Sequence, residues 1–285
     1  MRRFVKALLA LGAVLALAAC QSWLIFEPDR KLRAAPSDFS FRIVEVAVPV
    51  RPAAGGRTQY LNGWWIPSPQ PDARTVLYFH GNDDNVSRCV TEVGPLRKLG
   101  YNIFLVDYRG FGESDGRVPS ETTVYEDAEA AWNYLVADRG VPTSQLYIYG
   151  HSLGGAIAIE LARRHPEAAG LIVESSFTSI YDMSQLDPRY RLLPVKRFLN
   201  QRFESVDKVS DLKIPVLILH GTQDEVVPYW MGERLFSRAP APKQFFAIEG
   251  GRHDHDESGE AGMCEAIDRF VQSTPATVRE AFSKP

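Results

Sequence analysis

From residue 41 onward, short continuous apolar runs alternate with stretches in which apolar positions recur at helical spacing. Two runs near the start, 41–50 and 59–66, instead alternate apolar and polar residues, and the turn-forming stretch 52–56 lies between them. That period of two predicts an antiparallel edge. Further on, Thr75-Val76-Leu77-Tyr78-Phe79, Tyr147-Ile148-Tyr149, Leu171-Ile172-Val173, 214–219 and 243–249 are apolar with little alternation. Strands buried on both faces have this character. With helical patterns between them, the chain reads as α/β, with right-handed βαβ crossovers, a mostly parallel central sheet and helices on both faces. Between 177 and 213 the alternation breaks at Pro188 and Pro194, around a basic-apolar stretch at 189–202.

Chemistry collects where the apolar runs end. Tyr147-Ile148-Tyr149 leads into Gly150-His151-Ser152-Leu153-Gly154 and then an Ala-rich helical run. A serine at so tight a strand-to-helix turn is lifted above the sheet edge, and its neighbours must be glycine because a Cβ would strike the adjoining element. The bland reading is an ordinary strand-to-helix turn. Asp224 follows the run that ends at Gly221, and His253 follows the run that ends at Gly250-Gly251. Both therefore hang from loops at the carboxyl edge that carries Ser152, in the chain order Ser, acid, His. Thr75–Phe79 runs into His80-Gly81-Asn82. The oxyanion of an acyl transfer needs two fixed donors, and the backbone N–H groups of Asn82 and Leu153 are assigned to it, with His80 structural.

Rival assignments stay open at this point. Glu174, at the end of another apolar run, competes with Asp224 as the acid, and His255 competes with His253 as the base. The stretch His253-Asp254-His255-Asp256-Glu257 has the residue types of a metal cluster, although alternating ligands on one short loop seldom converge on one ion, and no metal is assigned. Asp107, Arg109, Ser114 and Asp115 read as a hydrogen-bonded loop bracing the site, and His165 as a helix-terminal cation or surface residue.

Together the segments H-G-N at 80–82, D-Y-R-G-F-G-E-S-D-G at 107–116, G-H-S-L-G-G at 150–155, E-S-S-F-T-S at 174–179 and H-G-T-Q-D-E-V-V-P at 220–228 resemble the small-lid serine hydrolases of the α/β-hydrolase superfamily, the group that includes serine aminopeptidases and acyl thioesterases. The resemblance runs from about residue 40 to the end. It implies an α/β-hydrolase fold, no cofactor, and a hydrolase of esters, thioesters or amides acting through Ser152, His253 and Asp224. It also places a lid at about 177–213; there Leu192, Leu193, Val195, Phe198, Leu199 and Phe203 are read as lining an acyl pocket, with Arg189, Arg191, Lys196, Arg197 and Arg202 toward an anionic lipid surface, against the equally weighted alternative of a short helical cap with a solvated basic face. The histidine loop departs from the related pattern G-x-x-H-N-D by carrying the second histidine. An ester or thioester with a hydrophobic acyl group is the favoured substrate. A peptidase or amidase, and a non-catalytic lipoprotein binding module, are the alternatives.

The amino terminus sets the compartment. Arg2, Arg3 and Lys6 precede an apolar stretch, 7–19, of signal-peptide length, and Leu17-Ala18-Ala19-Cys20 resembles the lipobox of bacterial lipoproteins. Residues 1–19 are read as a lipoprotein signal peptide, Cys20 as its lipidation site, 20–40 as an extended tether and 41–285 as the hydrolase domain. Gln21 after the cysteine, by the same resemblance, favours the periplasmic face of an outer membrane. The net charge of −3 includes the three basic residues of the signal, so the remainder carries −6 and is a poor nucleic-acid binder. Expected partners are a small-molecule or lipid acyl substrate and the membrane. Cys89 and Cys264 are left in an oxidising compartment, where two free thiols are favoured over a bridge.

Overall fold

The computed structural model describes residues 21–191, 193–254 and 260–274. Eight strands form one sheet: β1 Val44–Val50, β2 Gln59–Ile66, β3 Thr75–Phe79, β4 Asn102–Val106, β5 Leu146–His151, β6 Gly170–Glu174, β7 Val216–Gly221 and β8 Lys243–Ile248. Their spatial order is β1-β2-β4-β3-β5-β6-β7-β8. β1 and β2 pair antiparallel, β2 pairs antiparallel with β4, and every later neighbour is parallel. This is the expected α/β-hydrolase sheet with its antiparallel edge. β1 begins later than the residue pattern suggests because Phe39 and Phe41 turn aside, their rings 5.5 Å apart, to pack on the core beside Trp64.

Helices α1 Val86–Glu92, α2 Gly94–Lys98, α3 Glu121–Asn133, α4 Leu153–Arg164, α5 Ile180–Ser184, α6 Pro188–Arg191, α7 Val195–Phe198, α8 Ser205–Lys208, α9 Tyr229–Arg238 and α10 Glu260–Ser273 accompany the sheet, besides an amino-terminal turn and short 3-10 and π segments. The sheet divides the core into two apolar layers. Along β3, Leu77 and Phe79 join the layer with Val124 of α3, Ile157 of α4 and Leu235 of α9, whereas Val76 and Tyr78 join Val90 of α1 and Ile267 of α10. Both faces being covered, every residue of β3 is buried, and so the strand reads as a continuous run. Cys89 and Cys264 stand on α1 and α10, the helices of that second layer, as free thiols, the first buried and the second partly exposed.

The loop after β4 is a lattice of buried polar bonds. Asp107 accepts from the Val86 amide at 2.8 Å and from Asn62 Nδ2 at 3.1 Å, while Ser114 Oγ donates to the Asp107 carbonyl at 2.8 Å. Arg109 donates through Nε to Asp127 at 2.5 Å and through Nη2 to Glu126 at 2.6 Å and the Thr123 carbonyl at 2.9 Å. A buried guanidinium is tolerable only when its donors are met in this way.

Residues 21–33 do not hang free, which corrects the expectation of an extended tether. Residues 21–25 form a helical turn, Phe26 is buried beside Phe203 with ring centroids 6.1 Å apart, and Asn85 Nδ2 holds the Asp29 and Lys31 carbonyls at 3.2 and 3.1 Å. Burial of the Phe26 side chain accounts for the seating, contributing about 1.5–3 kcal/mol. Residues 1–19 and Cys20 lie outside the described residues.

Arg109→Ala strips the buried Asp127 of its ionic partner. It is expected to lower unfolding stability by about 3–5 kcal/mol, read as the shift of the urea midpoint against the unaltered protein.

Candidate active site

Ser152 sits between β5 and α4 with φ +52° and ψ −117°, a conformation that costs a non-glycine residue about 1–3 kcal/mol. Three hydrogen bonds hold it there: its amide donates to the Glu174 carbonyl at 2.9 Å, and its carbonyl accepts from Ser176 Oγ at 2.8 Å and the Gly155 amide at 3.0 Å. The flanking glycines are sterically required. A Cβ on Gly150 would overlap the Gly154 carbonyl, and one on Gly154 would overlap the Phe79 carbonyl at the end of β3.

The loops after β7 and β8 deliver the other two side chains. His253 Nε2 lies 3.0 Å from Ser152 Oγ, and His253 Nδ1 lies 2.9 and 3.1 Å from the two carboxylate oxygens of Asp224. Asp224 Oδ1 also accepts from the amides of Val226 and Val227 at 2.9 and 2.8 Å. Buried His220 packs against the same carboxylate, its Nε2 2.9 Å from the Val227 carbonyl and 3.4 Å from Asp224 Oδ2. Burial alone would raise the Asp224 carboxyl. Hydrogen bonds from His220 and His253 outweigh it and hold the group far below the usual carboxylate range. For His253, burial disfavours the cation, but the hydrogen bond and charge of Asp224 prevail and raise its pKa above the ordinary 6.5. His151 Nε2 approaches the His253 carbonyl at 3.2 Å and helps to seat the loop.

The rival residues are elsewhere engaged. Glu174 is buried and accepts from the Tyr149 hydroxyl. His80 is buried against the Tyr108 ring at 4.3 Å, its Nδ1 is 2.7 Å from the Gly81 carbonyl, and burial lowers its pKa to about 4. His165 stacks on Trp132 at 4.2 Å and pairs with Glu129 and Glu167 at 3.0 and 2.9 Å. His255, Asp256 and Glu257 lie outside the described residues. Among those described, Asp84, Cys89 and Glu92 are near enough to share an ion, but burial raises Asp84 to about 7 and pushes the Cys89 thiol up. Burial therefore disfavours the thiolate that would bind a metal, and Asp84 is already paired with Arg88 at 3.0 Å.

Above Ser152 opens a cavity of about 540 Å³. Asn82 and Leu153 border it beside the hydroxyl. The Asn82 side chain is turned outward, its Oδ1 accepting from the Glu27 amide at 3.2 Å. From the segment at 177–213 come Met183, Tyr190, Leu193, Val195, Phe198 and Leu199, carried largely on the short helices α5 to α7. Phe203, expected in the pocket, points instead into the core with Phe26 and Tyr125, because its φ of +44° turns the chain inward. Leu192 lies outside the described residues. Of the basic residues expected at a lipid surface, Arg189 pairs with Asp187 on the exposed side.

Two contributions escape a reading of the sequence. Gln21, Leu24 and Ile25, at the amino terminus, form part of the cavity wall. The apolar string Trp23–Phe26 is the available signal: it favours packing on the body over contact with lipid, but does not show which of its residues reach the cavity. His220 is visible within H-G-T-Q-D, yet nothing in the spacing shows its ring returning to the acid four residues later.

Comparison with known proteins agrees with this architecture. The family model for serine aminopeptidase, S33, matches residues 70–207 and 195–256. An uncharacterised protein of Mycobacterium tuberculosis is 32% identical over 272 residues, 95% of this chain and 94% of its own. The alpha/beta hydrolase domain-containing protein 17C of Xenopus tropicalis is 36% identical over 198 residues, 69% of this chain and 61% of its own. Among solved structures, an esterase of Pyrococcus furiosus superposes with a TM-score of 0.69 at 18% identity, covering 88% of this chain and 98% of that one, a likeness of fold. With the sheet, the serine elbow and these matches in agreement, the chain belongs to the S33 serine-aminopeptidase family of α/β-hydrolases.

Proposed function

We propose that the chain hydrolyses an ester or thioester with a hydrophobic acyl group, with Ser152 as nucleophile, His253 as general base and Asp224 as the acid that orients it. One observation carries this reading: the Ser152 hydroxyl, 3.0 Å from His253 Nε2, opens into an apolar cavity of about 540 Å³.

Ser152 Oγ attacks the acyl carbonyl while its proton passes to His253 Nε2. The backbone N–H groups of Asn82 and Leu153 receive the oxyanion, and each such donor is worth about 2.7–4 kcal/mol in the transition state. The tetrahedral adduct expels an alkoxide or thiolate, which takes the proton from His253. A water, deprotonated by the same imidazole, then attacks the acyl-serine and releases the carboxylic acid. Asp224 holds the Nδ1–H tautomer throughout and stabilises the imidazolium.

The family model bears the name of an aminopeptidase, so a peptidase is the second reading. An aminopeptidase must hold an α-ammonium group. Among the described residues lining the cavity none is charged, which favours an apolar acyl group over a free amino terminus. The alternative of a binding module without turnover is countered by the aligned hydroxyl, imidazole and carboxylate.

We also propose that lipid on Cys20 tethers the protein to a bacterial envelope membrane, on the periplasmic face of the outer membrane where the host has one. No helix among the described residues is long and apolar enough to cross a membrane. The basic start and the small residues before Cys20 support attachment by acyl chains, each buried CH₂ contributing about 0.8 kcal/mol.

A fluorophosphonate probe is expected to label the protein and to leave Ser152→Ala and His253→Ala unlabelled. Ester turnover should fall about 10⁴- to 10⁶-fold in each, and labelling of the Ser152→Ala chain would sink the assignment. Because the base works only when neutral, kcat/KM should fall as the pH drops through the His253 pKa. The midpoint of that acid limb is expected above 6.5, and in Asp224→Asn it should move to lower pH while turnover drops about 10⁴-fold. Radiolabelled palmitate supplied to expressing cells should enter the protein and be lost in Cys20→Ser, with the variant shifting from the membrane to the soluble fraction.

A further inference from the structure

The amino-terminal turn is built into the cavity rather than laid over it. Gln21 is buried, and both ends of its amide are used: Nε2 donates to the Phe198 carbonyl at 2.6 Å, and Oε1 accepts from the amides of Asn200 and Gln201 at 2.8 and 3.4 Å. All three partners belong to the lid segment, at the last residue of α7 and the stretch just after it. The lid is tied in turn to the body, since the Glu121 amide at the start of α3 donates to Gln201 Oε1 at 2.5 Å and Glu121 Oε2 accepts from the Arg202 amide at 2.6 Å. Five residues on, Phe26 is locked into the core against Phe203. Residues 21–25 are thus pinned at both ends, and between the pins Leu24 and Ile25 face the cavity. Ile25 also packs on the main core, whereas Leu24 is 62% exposed and stands at the mouth. Val226 and Val227, from the loop after β7, also line the cavity.

We propose that residues 21–25 are the wall that sets which acyl chains the enzyme accepts, with Gln21 as the positioning residue that clamps this wall to the lid. The inference rests on the acyl-hydrolase reading above. An apolar cavity selects chains by how many methylenes it can desolvate, each worth about fourfold in binding. Selection therefore depends on where the wall stands. A buried glutamine that satisfies three backbone groups fixes that position far better than apolar contact alone, because leaving those groups unpaired in the interior is costly.

The test compares kcat/KM for p-nitrophenyl esters from acetyl to dodecanoyl in the full chain and its variants. Ile25→Trp, which fills the cavity, should lower the dodecanoyl-to-acetyl ratio at least tenfold. Ile25→Ala should move the ratio the other way, toward longer or bulkier acyl groups. Gln21→Ala, which frees the wall, should raise KM for the long esters more than fivefold with a smaller change in kcat. Gln21→Glu, which keeps the acceptor but sets a carboxylate oxygen against the Phe198 carbonyl, should raise KM for the long esters at least as much. Opposite shifts from filling and emptying one position are not what a merely structural role produces. Ratios that stay constant in the variants, or that move in the same direction in all of them, would overturn the proposal, and melting temperatures would identify any variant that has simply lost its fold. The two readings fail differently. A wild-type enzyme that prefers acetyl esters removes the acyl reading and this inference with it, whereas a wild-type preference for long chains that Ile25→Trp and Gln21→Ala leave unmoved removes the inference alone.

Discussion

A serine held with φ +52° is the constraint on which the rest of this structure turns. An L-residue does not rest in that conformation unaided, so the surroundings must over-determine it. They do so from three directions. The Glu174 carbonyl on β6 captures the Ser152 amide, Ser176 captures its carbonyl, and α4 begins at the next residue. The glycines on either side leave no slack, since the backbone of α4 passes against Gly150 and the end of β3 against Gly154. Strand, helix and neighbouring strand must all be in place before the hydroxyl can point where it does.

That dependence explains where stability is concentrated. β3, β5 and β6 are buried along their whole length, and the loop after β4 is fixed by Asp107 and Arg109. Arg109 reaches no part of the cavity, but its bonds to Asp127, Glu126 and Thr123 hold the β4 loop to α3, and α3 also anchors the lid through Glu121. A buried ion pair is a poor source of net stability, though a good device for fixing the angle at which two elements meet. Its position here, between the sheet edge and the lid, fits that use.

The residues legible in the sequence were those whose placement follows from a strand end. Ser152, Asp224 and His253 each come at or shortly after the carboxyl terminus of a parallel strand, and parallel strands deliver their loops to one edge, so the three meet without further information. The buried runs were legible for a similar reason, because covering both faces of a sheet erases the alternation of polar and apolar positions. What was not legible depends on contacts between distant, weakly patterned segments. The apolar string Trp23–Phe26 contains one residue that goes to the core, two that are exposed by 69% and 62%, and one that is shared with the cavity. No periodicity distinguishes them. Phe203 was misplaced for the same reason, since a single positive φ reversed the direction of its side chain.

The seating of the amino terminus ties two levels of the proposed biology together. Gln21 follows the residue proposed to carry lipid, and its amide is joined to the lid at 198–201. A tether that began farther out, at the end of a loose chain, would let the cavity take any orientation toward a bilayer. Here the chain is fixed to the lid from Gln21 onward, while Trp23 and Leu24 just beyond it stay exposed. The hydrogen bonds of one glutamine thus join the segment after the proposed anchor to the segment that closes over Ser152, so that attachment and access to the cavity would bear on the same few residues.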